Sequence, residues 1–450
     1  MAFYRKIQDD LEHWKQSQTH KPLVIRGARQ VGKTTVVKEF GKSFDSFVML
    51  NLERIEDRAI FESGLNPKAI YQRICLEKRI QPKGKTLLFL DEIQNSPQAV
   101  AMLRYFYEDI PELYVISAGS LLEIMMDVHK VSFPVGRVEY LFLFPMTFRE
   151  FLKAIGEDST LKLMDEVPLS EWALPSIYRL FREYTMVGGM PEAISQYIIK
   201  RSIVDCIPIY RNLYMSYVDD VAKYAKNIEQ EQILRTFIES VPLETGKRIA
   251  FEKFANTNYK SRESGDALRM LERAMLIYLR YPTTATQLPL QQDLKRRPRL
   301  QFLDTGLLNY KADIQSLYLS DTPLDGMFNG MIAEQIVGQE LLAANSYELK
   351  KTLFWVRETG NSNAELDFIQ TNRGMILPIE VKSGKTGTLR SLHSFIDLSG
   401  CQYAVRLYGG AIAVDRTKTP AGTPYCLINL PWFLSEQIPL YLDWAMGQVN

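Results

Sequence analysis

Cysteine and histidine are both scarce, four of each in 450 residues. Cys75, Cys206, Cys401 and Cys426 form no CxxC pair, and His13, His20, His129 and His393 are equally dispersed. A disulfide framework and a Cys/His zinc site are therefore not expected. No stretch of 18 apolar residues exists, so no membrane span is expected. The leading segment MAFYRKIQDDLEHWKQSQ lacks the apolar centre of a signal peptide, and a cytoplasmic location is expected. Net charge is also missing: 54 Lys+Arg face 53 Asp+Glu. Nucleic acid cannot then be held by bulk charge, and any contact must come from a local basic patch. Apolar residues are not in short supply. At 46% of a chain this long they support several packed cores, and the length predicts two to four domains.

Short apolar runs alternate with helical periodicity through the first 150 residues. PLVIRG, FVMLNLE, TLLFLDE, LYVISAG and VEYLFLF read as strands buried on both faces. KTTVVKEFGKSF, PKAIYQRICLEK and PQAVAMLRYFYED read as the helices between them, with Pro67 and Pro97 at first-turn positions. This is a parallel sheet covered by helices. Helical periodicity dominates from Thr147 to about Val241. A small unit follows at 242–310: RIAFEKFANTNY, then SRESGDALRMLERAMLIYLRY, then strand-like TATQLPL and RLQFLD around the basic run LKRRPRL. Helix, turn, helix and hairpin in that order predict a winged-helix-like unit. The last 125 residues return to mixed α/β, with a helix at MFNGMIAEQIVGQELLAAN and strands at TLFWVRET, AELDFIQT, MILPIEVKSG and QYAVRLYGG.

Two constellations carry chemistry. The first is Gly27, Ala28, Arg29, Gln30, Val31, Gly32, Lys33 and Thr34, followed by Thr35, directly after a buried strand and opening a helix. Its spacing fits G-x-x-x-x-G-K-[ST]. Glycines let the backbone N–H groups turn inward on phosphate oxygens, Lys33 adds a mobile cation, and Thr34 offers a hydroxyl to Mg²⁺. Further on, an apolar strand ends in Asp91-Glu92. Asp91 is expected to hold the Mg²⁺ through its water shell, and Glu92 to orient the water that attacks the γ-phosphate of ATP. Ser117, Gly119 and Ser120 are candidates for a γ-phosphate sensor, and Arg137 for a sensor or an arginine finger offered to another subunit of a homo-oligomer.

The second constellation is Asp367, Glu380 and Lys382. Period two puts Glu380 and Lys382 on one face of their strand, and a hairpin would bring Asp367 alongside. Carboxylates of this kind suit Mg²⁺ or Mn²⁺, with Lys382 beside a metal-bound water and Glu334 of the preceding helix as a further ligand. The middle of the chain supplies Lys253, Lys260, Arg262, Arg269, Arg273, Lys295, Arg296, Arg297 and Arg299 as a face for DNA or RNA phosphates. Asp219-Asp220 reads as a solvated helix face, and Gly188-Gly189 as a break between helices.

In this order GARQVGKTT, LLFLDEIQ, ISAGSLLE, VGRVEYLFLFPMTFREF, VGGMPEAI and IEVKSG resemble a prokaryotic family. It joins an AAA+/STAND-type P-loop ATPase to a C-terminal domain of unknown function related to PD-(D/E)xK nucleases. The resemblance implies Walker A at Lys33 and Thr34, Walker B at Asp91 and Glu92, a motif arginine at Arg137, and a nuclease triad at Asp367, Glu380 and Lys382 with Glu334 as its helix glutamate. Leu366 stands where the nuclease motif has proline. The expected α/β architecture is a P-loop AAA+-like ATPase domain at 1–155, a helical extension at 156–241, a winged-helix-like domain at 242–320 and a PD-(D/E)xK nuclease-like domain at 321–450. The expected function is ATP hydrolysis coupled to action on nucleic acid, with metal-dependent cleavage by the C-terminal domain. The alternative is a nucleotide-gated regulator or scaffold whose nuclease-like domain is an inert binding module.

Overall fold

The computed structural model describes residues 2–120, 122, 134, 136–222, 225–315, 330–349, 352–357, 364–384 and 387–449. Residues 121 and 123 of ISAGSLLE, the first three residues of the expected helix at 327–345, and the boundary at 320/321 lie outside them.

Five parallel strands form the first sheet: β1 (Leu23–Arg26), β2 (Ser46–Asn51), β3 (Thr86–Asp91), β4 (Tyr114–Gly119) and β5 (Glu139–Phe142), in the order β2-β3-β4-β1-β5. Strands β3 and β4 are buried at every position, which is why they read as continuous apolar runs. Helices Pro67–Glu77 and Pro97–Asp109 start as their prolines suggest. Each is capped by the residue before, Asn66 accepting from Ala69 N–H and Ser96 from Ala99 N–H. The helix Phe148–Ile155 begins in a capping box. Thr147 Oγ1 accepts from Glu150 N–H at 3.3 Å, and the Glu150 carboxylate accepts from Thr147 N–H at 3.0 Å.

Among the described residues from there to Ser240 the regular elements are all helical. In the next unit the helix is Ser261–Arg273, shorter than the pattern to Tyr281 implied: Met275 takes a positive φ and the chain leaves as strand β6 (Ile277–Arg280). The hairpin partner of β6 is β8 (Arg299–Phe302). TATQLPL is not a strand. Only β7 (Pro282–Thr283) forms near it, and it pairs with the far sheet instead.

Among the described residues that second sheet has seven strands in the order β13-β14-β12-β11-β10-β9-β7, adding β9 (Leu353–Val356), β10 (Glu365–Asn372), β11 (Met375–Val381), β12 (Tyr403–Tyr408), β13 (Ala413–Lys418) and β14 (Pro424–Pro431). Strands β13 and β14 were not expected from the sequence, although β14 is buried almost throughout and pairs with both of its neighbours. The helix Gly330–Ala343 packs between this sheet and the rest of the chain and is buried over most of its length. Its polar residues are consequently all engaged. Gln335 both donates to and accepts from the backbone of Phe302, Gln339 accepts from Thr305 N–H, and the Glu340 carboxylate accepts from Phe148 N–H and the Tyr184 hydroxyl.

Candidate functional site

The loop after β1 turns on Gln30 (φ 63°) and Gly32 (φ 103°) and delivers the chain into helix Lys33–Gly41. Its outer side is anchored by the buried Arg5, which donates to Val31 O, Phe144 O and the Glu150 carboxylate. The Lys33 ammonium donates to Gly27 O at 3.0 Å and Ala28 O at 2.8 Å, curled back under its own loop. Burial draws the Lys33 amine down to about 8, opposed by the charges of Glu92 and Asp91.

The two motifs meet at one contact: Thr34 Oγ1 donates to Asp91 Oδ2 at 2.9 Å. Asp91 is buried, and burial raises its carboxyl above the ordinary range against that hydrogen bond. Glu92 follows in the left-handed region (φ 52°), which turns its side chain out of the strand. Its carboxylate then accepts from Gln94 Nε2. Ser117 donates weakly to Leu23 O at 3.4 Å, and Ser120 is buried just beyond the end of β4.

A cavity of about 480 Å³ opens over the loop. Arg29, Gln30, Gly32, Lys33, Thr34, Thr35 and Glu92 line one side, while Pro191, Glu192 and Ser195 of helix Pro191–Lys200 line the other. Sequence reasoning left GGMPE without chemistry, yet the structure brings it to the phosphate loop. The signal was the double glycine. A Cβ on Gly188 (φ +71°) would lie 2.4 Å from Asp304 Oδ1, and one on Gly189 would lie 2.3 Å from Met146 O. The fully buried Asp304 carboxylate accepts from Gly189 N–H at 2.6 Å and from Leu307 N–H at 3.1 Å, and burial pushes its carboxyl up to about 6.

Asp220 corrects the solvated-face reading: it is buried and pairs with Arg29 of the loop, while Tyr217 of the same helix donates to Arg29 O at 3.1 Å. Arg137 is not part of the cavity wall. It lies on the surface, paired with Glu108 at 2.9 Å.

In the C-terminal domain the hairpin β10–β11 forms, with Phe368 opposite Ile379. Val381 N–H donates to Asp367 Oδ2 at 2.9 Å, and the Lys382 ammonium pairs with Glu380. The expected acids do come together with the expected lysine, but not as an open metal cage. Arg299 reaches Glu334 Oε1 at 2.8 Å and Asp367 Oδ1 at 3.1 Å, and Arg280 pairs with Glu334 as well. No group of three or more His, Cys, Asp or Glu side chains among the described residues is arranged to hold a metal ion. Arg299, assigned from the sequence to an outward phosphate-contacting face, is buried here. Arg280 was not singled out at all, because the pattern through Tyr281 reads as a helix, on which a lone terminal arginine is an ordinary solvated residue. Burial raises Asp367, and raises Glu380 to about 7. No helix among the described residues is long and apolar enough to cross a membrane.

Comparison with known proteins divides the chain in the same order. Residues 19–152 match an AAA domain, residues 178–318 a domain of unknown function (DUF8612), and residues 329–427 another (DUF4143). An uncharacterized protein of Haemophilus influenzae is 23% identical over 273 residues, covering 57% of this chain; the match spans 61% of that relative's length. Among solved structures, a Walker-type ATPase of Pyrococcus abyssi is 14% identical with TM-score 0.43, covering 69% of this chain and 96% of that one. Orc1 of Aeropyrum pernix in complex with DNA is 14% identical with TM-score 0.29, covering 70% and 92%. The AAA match over residues 19–152, together with a five-stranded parallel sheet and Thr34 against Asp91, makes the N-terminal third of the chain an AAA-type P-loop domain, the fold of nucleotide-binding ATPases.

Proposed function

We propose that the chain is an ATP-driven conformational switch acting on nucleic acid, with hydrolysis at the P-loop changing how the middle unit and the C-terminal domain are held together. The observation that carries it is the shared cavity: the phosphate loop forms one wall and helix Pro191–Lys200 the other, and that helix starts from the loop tied to Asp304. A nucleotide between the walls touches both.

The residues fit a nucleotide with Mg²⁺. Thr34 and Asp91 present two hard oxygen donors 2.9 Å apart, suited to that ion directly and through its water shell. The ion, when bound, supplies neutralisation of phosphate charge. Lys33 would exchange its two carbonyl partners for phosphate oxygens, and the loop N–H groups from Gly27 to Thr35 would line the anion. Glu92, held by Gln94, polarises the attacking water. Ser120 is assigned to the γ-phosphate sensor. Arg137, exposed as a donated arginine must be, is assigned to the site of a neighbouring copy in a homo-oligomer. The exposed Lys253, Arg262, Lys295 and Arg297 of the middle unit give DNA or RNA a phosphate-contacting face.

For the C-terminal domain, a metal-dependent nuclease built on Glu334, Asp367, Glu380 and Lys382 is the finer reading, with Mg²⁺ or Mn²⁺ as its ion. The residues as arranged do not fit that ion, because guanidinium groups stand among the carboxylates. The same observation favours a second reading in which this domain is a catalytically silent binding module.

ATP turnover by wild type, Lys33→Ala and Glu92→Gln tests the first part. Lys33→Ala should lose nucleotide binding, while Glu92→Gln should bind ATP and turn it over roughly 100-fold or more slowly. Equal turnover by all three would refute the assignment. Oligonucleotide anisotropy with and without ATP tests the second part, and binding indifferent to nucleotide would refute the switch.

A further inference from the structure

Arg280 of β6 and Arg299 of β8 are directly opposite each other in an antiparallel pair. Like charges in that register repel, and both side chains are buried, 1% and 9% exposed. Such a pair persists only where anions compensate it. The anions come from the C-terminal domain. Arg299 Nη1 reaches Glu334 at 2.8 Å and Asp367 at 3.1 Å, and its Nη2 reaches Glu365 at 2.9 Å. Arg280 pairs with Glu334 and donates to Asp367 O at 3.2 Å. Arg248, bridged to Arg299 in the same unit, holds the other oxygen of Glu365 at 2.6 Å. The two buried guanidiniums also lie over aromatic rings of this domain, Arg280 at 4.3 Å from the Phe368 centroid and Arg299 at 5.0 Å from that of Phe354.

Counting charges decides what the arrangement does. Glu334, Glu365, Asp367 and Glu380 face Arg248, Arg280, Arg299 and Lys382, four against four, so the formal charges of the set balance without an ion. One oxygen of the buried Glu380, Oε2, nevertheless has no hydrogen-bond partner among the described residues. Arg280 and Arg299 together bring the charge of one divalent cation to the carboxylates that would ligate it.

We propose that this hairpin is an intramolecular substitute for a metal ion: docking of Arg280 and Arg299 and binding of a divalent cation at Glu334, Asp367 and Glu380 are mutually exclusive. The device rests on the reading of those three acids as a metal site. It makes the C-terminal domain silent while the hairpin is seated and competent for the ion only once it withdraws. A divalent ion added beside the seated hairpin would leave two surplus positive charges in a buried site, so the exchange is all or none.

The test uses the full chain without nucleotide and Mn²⁺ as probe, with bound ion counted by electron paramagnetic resonance. Wild type should take up no Mn²⁺ at the acid set, whereas Arg280→Met/Arg299→Met should bind one ion at least tenfold more tightly, and adding Asp367→Asn should abolish it. Equal, tight binding by wild type and the double variant would overturn the exclusion while leaving the metal-site reading intact. No binding by a folded double variant would overturn both. Binding that survives Asp367→Asn would place the ion elsewhere and also overturn the proposal. Should the double variant not fold, Arg299→Gln gives up one of the two charges together with the fork that holds three carboxylates. It should still bind Mn²⁺ at least tenfold more tightly than wild type, and unchanged affinity would overturn the proposal.

Discussion

Glu340 offers the sharpest test of how the C-terminal domain is joined to the ATPase. Its carboxylate is 1% exposed and accepts from Phe148 N–H at 3.1 Å and the Tyr184 hydroxyl at 2.7 Å. Burial first, then the charge of Glu436, push it up from 4.5 to about 8, with the Tyr184 bond opposing. The sign follows from where the proton sits. Below pH 4.5 both folded and unfolded chains hold it, and the contribution is present in full. Between 4.5 and about 8 only the folded chain holds it, so stability falls as pH rises. At about 1.4 kcal/mol per pH unit across that window, the loss comes to about 5 kcal/mol at most. Glu340→Gln keeps an acceptor oxygen for Phe148 and Tyr184 and removes the titration. Thermal unfolding followed by tryptophan fluorescence should find variant and wild type close together at pH 5. The variant should then pull ahead steadily towards pH 8. A gap that does not change with pH would refute the reasoning.

Three further outcomes are expected. Because burial draws the Lys33 amine down to about 8, the free protein should lose ATP affinity as pH rises past 8, the neutral amine having no charge for phosphate; binding of a fluorescent ATP analogue that is flat from pH 7 to 9 would contradict this. Gly188→Ala places a Cβ against Asp304 at a positive φ and should cost about 2–3 kcal/mol or more, whereas Gly156→Ala, also at positive φ but with nothing within 4 Å, should cost about 1 kcal/mol; urea unfolding that ranks them equal would sink the Asp304 contact as the cause. Thr147→Ala removes one half of the capping box and should cost about 1 kcal/mol in the same assay, with no change in the KM for ATP.

The ATPase domain was legible because its signals are local. A glycine loop between a buried strand and a helix, and an acid pair closing an apolar strand, depend on neighbours in sequence, and so does the approach of Asp367 to Glu380 across a short hairpin. The rest depended on contacts the sequence does not announce. Arg280 and Arg299 meet Glu334 and Asp367 across separations of 35 to 87 residues, so no spacing rule pairs them. Asp220, read as solvated, is buried because Arg29 lies 191 residues away in the chain and beside it in the fold. The helix continuing through LIYLRY was misread for a related reason. Residues 277–280 have apolar character suited to either element, and only pairing with β8 decides for strand.

Strand β8 joins the two halves of the molecule. Arg299 stands at its start among the C-terminal carboxylates. Asp304, two residues past its end, holds the backbone of Gly189, immediately before the helix that walls the nucleotide cavity. The span from Arg299 to Asp304 is about 17 Å of extended chain. Gln335 stiffens it by pairing with both the N–H and the C=O of Phe302, as a neighbouring strand would. A displacement of helix Pro191–Lys200 by nucleotide must therefore either break the Gly189–Asp304 hydrogen bond or carry β8 along. Breaking it strips a donor from a fully buried carboxylate, which is costly. Carrying β8 draws Arg299 away from Glu334, Glu365 and Asp367 at once, since one guanidinium serves all three. The second course leaves each carboxylate one partner poorer in a buried site, so motion at the helix is felt as lost charge pairing in the C-terminal domain.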